Sequence, residues 1–179
     1  MSPRVFWLLL AGICLGASTS ALGQTSSAIT LDTAPIGKIV TAIGTVRVEH
    51  SSAVIVQANL PPEGVGQVKA GDLIYRGDKI QTGPDGGVGI TFTDGTAFNV
   101  AKNARMEVDE FTYDPNGNSN TVLFTLSTGT FSFIAGAIAK TGDMKADTPV
   151  GVVGIRGTAP RIEISEDGSV KFSTLIEEK

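Results

Sequence analysis

Val88-Gly89-Ile90-Thr91-Phe92-Thr93-Asp94-Gly95-Thr96-Ala97-Phe98-Asn99-Val100 is the stretch that decides the fold. Val88, Ile90 and Phe92 fall on one side of an extended chain, with Gly89, Thr91 and Thr93 on the other. A strand with one buried face has this period of two. Asp94-Gly95 predicts a tight type I′ turn, whose centre needs the positive φ that Asp and Gly tolerate. Phe98 and Val100 resume the apolar phase, so the stretch reads as a hairpin.

The alternation continues in both directions. Thr45 to Glu49 reads as a half-buried strand, with Ala53 to Ala58 expected as its neighbour before Pro61-Pro62 ends the pair. Ala104, Met106 and Val108 alternate with Arg105, Glu107 and Asp109, and Asp114-Pro115-Asn116-Gly117-Asn118 is a turn by composition. Val122, Phe124 and Leu126 share a face, Gly129 predicts a bend, and Phe131 with Phe133 begins another strand. Arg161 to Ile164 and Val170 to Phe172 flank Glu166-Asp167-Gly168 as a last hairpin. Helical spacing is sustained nowhere: Phe133 to Lys140 is interrupted by Gly136 and reads as a strand with a bend. The expectation is an all-β single domain of short antiparallel strands, either a β-sandwich or a rolled, solenoid-like stack.

Glycine numbers 22, and its placement is informative. Gly71-Asp72-Leu73-Ile74 recurs six residues later as Gly77-Asp78-Lys79-Ile80. Each copy supplies a turn glycine, a carboxylate for the turn backbone and an inward Ile.

Residues 1–23 read as a secretory signal peptide, with Arg4 as the basic start, Val5 to Ala17 as the apolar run and small residues after it. Cleavage is expected after Gly23, with Ala21 as the alternative, which gives a periplasmic or secreted chain. The apolar run is shorter than the roughly 20 residues of a membrane-crossing helix, so no membrane span is expected in the mature chain. Residues 24–35 read as a flexible leader and residues 36–179 as the all-β domain. Cys14 and Trp7, the only Cys and Trp, leave with the signal, and the mature domain has no thiol for a disulfide, a metal or a nucleophile. Loss of Arg4 takes the net charge from −4 to −5. That balance argues against nucleic acid as a partner, since phosphate binding needs clustered Lys and Arg.

Catalytic residues are not expected. His50, the only histidine, lies at a strand end beside Ser51 and Ser52 and reads as solvated. Asp72, Asp78, Asp85 and Asp94 each adjoin a turn glycine, where backbone capping accounts for them without acid-base chemistry. Asp114, Asn116, Asn118 and Asn120 begin like a calcium loop, but Ser119 and Thr125 stand where that loop needs Gly and a bidentate Glu. No metal or cofactor is expected. Gly151, Gly154 and Gly157 lack the following helix and Lys of a phosphate loop, and read as sites of close contact between packed strands, with Arg156 reaching a carboxylate or carbonyls.

Gly77-Asp78-Lys79-Ile80-Gln81-Thr82-Gly83, Asp94-Gly95-Thr96, Thr148-Pro149 and Gly154-Ile155-Arg156-Gly157-Thr158, in this order and spacing, resemble the periplasmic FecR domain over roughly residues 66–165. The resemblance implies a domain used for contact, with Asp78, Asp94, Arg156 and Thr158 at the motif positions as binding candidates. The best-known regulators of that family relay the state of an outer-membrane transporter to a cytoplasmic sigma factor through a membrane span. The resemblance thus implies protein-protein interaction or envelope sensing, with an envelope protein as partner. A module binding cell-surface polysaccharide or a small ligand is the alternative.

Overall fold

The computed structural model describes residues 34–51, 66–117, 119–141, 143–157 and 160–174. The signal peptide, the leader up to residue 33, the strand expected at Ala53 to Ala58, and Thr158 lie outside the described residues.

Alternation produces strands wherever it was expected among these residues. In chain order they are β1 Gly37–Ile43, β2 Val46–Glu49, β3 Gly66–Gln67, β4 Leu73–Ile74, β5 Lys79–Thr82, β6 Gly87–Phe92, β7 Ala97–Val100, β8 Arg105–Thr112 and β9 Thr121–Ile134. One helical turn, α1 Ile138–Thr141, precedes β10 Asp143–Thr148, β11 Gly151–Ile155, β12 Pro160–Ile164 and β13 Val170–Thr174. All thirteen strands join one curled sheet, as the all-β, rolled expectation requires.

The sheet folds into two ladders that share β9. The first runs β4-β1-β6-β7-β9-β12-β13 and uses residues 129–134 of β9. The second runs β3-β2-β5-β8-β9-β10-β11 and uses residues 121–128. Their inward faces meet in one core, where Phe92 of the first ladder touches Phe124 and Phe111 of the second at 5.3 and 5.6 Å between ring centroids. The two glycine-aspartate turns serve this geometry. Gly71-Asp72 leads into β4 in the first ladder and Gly77-Asp78 into β5 in the second, with Ile74 and Ile80 fully buried.

Four expectations change. The β6–β7 hairpin closes through three residues, not two: Gly95 N–H donates to Phe92 O, and Gly95, not Asp94, has positive φ. This is a type I turn followed by a glycine bulge, and it frees Asp94 to bond the chain ahead of it. β9 does not stop at Gly129. It passes through, because pairing partners are available on both sides of the bend, β8 before it and β7 after it. The stretch after Phe133 is not a bent strand, since the chain leaves the sheet at Ile134 and makes the α1 turn. Finally, β10 runs parallel to β9 in an otherwise antiparallel sheet, as the chain returns through α1 to the start of β9 before running alongside it.

Candidate functional site

The turn Tyr75-Arg76-Gly77-Asp78 is closed by the Asp78 N–H bond to Tyr75 O, and Asp78 Oδ2 accepts the Tyr75 N–H at 2.8 Å. The Lys69-Ala70-Gly71-Asp72 turn repeats both bonds. Asp78, however, is 0% exposed, and its Oδ2 also lies 2.9 Å from His50 Nδ1, at the end of β2. Its Oδ1 has no partner among the described residues. The expectation of a solvated His50 is therefore corrected: its ring is largely covered, pairs with Asp78, and meets Tyr75 edge-on at 5.6 Å. The hydrogen bond that Asp78 Oδ2 accepts raises the His50 pKa above its ordinary value despite burial. Burial likewise raises Asp78, against the lowering by His50 and the Tyr75 amide. No local sequence signal marks this pair, which spans 28 residues and depends on β2 and β5 being neighbours.

Asp94 is also buried and structural in its contacts. Its Oδ1 accepts the Thr96 N–H at 2.9 Å and its Oδ2 the Thr96 hydroxyl at 2.7 Å. The same carboxylate accepts the Ile138 N–H at 3.3 Å, and the backbone oxygen takes Ala137 N–H. Together they cap the α1 turn. Gly136 passes so close to this turn that any Cβ would overlap the Thr96 amide. Asp114 and Asn120, which suggested a calcium loop, bond the backbone of their own turn. Among the described residues no group of three or more His, Cys, Asp or Glu is arranged to hold a metal ion.

Arg156 has a different setting. It is exposed and has no hydrogen-bond or ion-pair partner among the described residues, so the expected reach to a carboxylate or carbonyls is absent. It follows β11, which pairs with β10 on one side and, among the described residues, with no strand on the other. The expectation of glycines in tight interstrand contact is also overturned, since a Cβ on Gly151, Gly154 or Gly157 would meet nothing within 4 Å. What these residues form is an open edge: Val150 and Val152 are 65% and 58% exposed, and no charged residue lies between Val150 and Ile155. Among the described residues the other free edges are β3 and β4, each two residues long, and β13, which carries Lys171. Asp78, Asp94 and Arg156 thus occupy three separate settings, two turns inside the sheet and one exposed strand end.

No helix among the described residues is long and apolar enough to cross a membrane. A family model described as FecR protein matches residues 78–175, more than half of the chain. No curated protein and no solved structure matches it.

Proposed function

We propose, from the premise that this chain belongs to the FecR protein family, that it is a non-enzymatic contact module of the cell envelope that takes a partner's β-strand on its β11 edge. Proteins of this family act in signalling and regulation, and their domains are associated with the envelope. The apolar leader at Val5 to Ala17 supports export to the periplasm or beyond.

One observation carries the reading. Natural edge strands are guarded by Lys, Pro, bulges or shortness, because their free N–H and C=O groups template pairing. β11 has none of these guards. Gly154 has neither a positive φ nor a crowded Cβ position to explain it, and it leaves the backbone bare where another backbone would approach. Strand addition of this kind draws affinity from main-chain bonds and specificity from alternate side chains, here Val150 and Val152 with Arg156 at the end. Thr158 follows in the motif and belongs to the same proposed contact. Asp78 and Asp94 lie apart from this contact and support their own turns.

A photo-crosslinking residue at position 152, introduced in living cells, tests this directly. A single envelope protein should be captured, and Val152→Lys should abolish that complex while leaving the melting temperature within a few degrees of the parent, as surface changes do. Capture of only abundant bystanders, unchanged in the Lys variant, would sink the reading.

A further inference from the structure

The outer face of the first ladder carries a trough that the edge strand does not share. Two adjoining hollows of about 590 and 320 Å³ meet at Thr41, Gly89, Asn99 and Ser132. They follow β7 from Ala97 to Val100, three residue steps or roughly 10 Å at about 3.3 Å each, and continue over the turn at Lys102 and Asn103. The trough exists because Gly87, Gly89, Ala97 and Ser132 place little bulk on this face. Its walls are the exposed Val40 and Ile43 of β1 on one side and Ile134 of β9 on the other.

Charge narrows what fits. The chain has 18 acidic against 14 basic residues, yet no Asp or Glu lines the trough among the described residues, whereas Lys102 and Arg161 both do. Lys102 stands at one end, beside Asn103, the one non-glycine among the described residues at positive φ. Ile134 stands at the other end. Between them, Asn99, Thr130 and Ser132 offer side-chain donors and acceptors to a backbone.

We infer that this trough binds a short extended acidic peptide segment of a partner protein, with its carboxylates against Lys102 and Arg161 and an apolar side chain at the Val40 and Ile134 end. A groove of this length, open along its course and carrying polar groups along its floor, matches a chain better than a compact molecule. The inference rests on the reading of this protein as a contact module, but it uses a surface separate from β11.

Fluorescence anisotropy of the full exported chain with the labelled hexapeptide EESGVF, against KKSGVF, tests it. The acidic peptide should bind at least tenfold more tightly, and its binding should weaken as salt is added. Ser132→Leu, which fills the floor, and Lys102→Glu with Arg161→Glu should each reduce binding at least tenfold. Lys171→Glu, the same charge reversal on β13, should leave it unchanged, as should Val152→Lys on the β11 edge. Circular dichroism checks that each variant folds, and should Ser132→Leu unfold, the exposed charge variants decide the outcome. Equal binding of the two peptides, or equal loss with Lys171→Glu, would overturn the inference. Groove binding that survives Val152→Lys, in a protein whose edge captures nothing, would separate this site from the strand-addition reading.

Discussion

Asp72 and Asp78 close the same four-residue turn six residues apart, yet the two carboxylates stand in different media. Asp72 is partly exposed, so water replaces what its removal would lose. Asp78 has no such recourse, being fully enclosed with His50 and the Tyr75 amide as its partners. Asp78→Ala should therefore cost about 3 kcal/mol, because it strands a buried N–H and the histidine together, and Asp72→Ala less than about 1 kcal/mol. Urea titration of the two variants measures the difference. The pair also sets a pH response. Both groups have folded-state pKa values above their ordinary ones, 6.5 for His50 and 3.8 for Asp78, so the folded chain holds protons more tightly than the unfolded chain. The His50 contribution is fully present below its ordinary value and is lost as pH rises through the elevated one. The melting temperature should fall as pH rises above the ordinary histidine value of 6.5, and His50→Gln should flatten that slope. A melting temperature that climbs instead would contradict the assignment. Sequence reading placed Asp78 in its turn correctly, since the Gly77-Asp78 repeat is local. It missed His50, whose neighbours in sequence are polar while its neighbours in space are Asp78 and Tyr75.

At the level of elements, β9 joins the two ladders. Its buried positions are 122, 124 and 126, then 131 and 133, a change of parity that no continuous strand can make without an added residue. The bulge opposite Arg105 and Met106 supplies it, and Gly129 turns the chain there at φ 107°. A Cβ on Gly129 would overlap that of Ala104. Gly129→Ala should accordingly cost about 3 kcal/mol or more, combining strained backbone with overpacking, and a calorimetric melt would show it. Gly154→Ala, on the open edge, should change stability by no more than about 1 kcal/mol in the same measurement. The two apolar phases and the intervening glycine were legible in the sequence, and they predict a bend there. That the strand continues, and that β10 lies parallel to its first half, depends on which strands are free to pair. Periodicity carries no information about that choice. The same limit explains α1: one helical turn held by Asp94 has too few residues for a helical period to register.

On the scale of the molecule, both ladders draw on one core and one shared strand, so neither has an independent folding unit. Unfolding followed by far-ultraviolet circular dichroism and by the fluorescence of Tyr75 and Tyr113 should therefore give one coincident transition. Two separated midpoints would mean that the ladders melt apart. The all-β class, the inward Phe positions and the family were all readable from the chain, because each rests on short-range pattern. The β11 edge and the trough across the first ladder were not, because an edge is defined by what fails to pair with it and a hollow by side chains drawn from five strands.

The late position of β9 has a consequence for a chain that emerges from a pore with its N-terminus leading. Before Thr121 is available, the earlier strands of each half can pair among themselves, but β7 and β8 lack the strand that joins the halves. The two halves can be joined only once most of the chain is present.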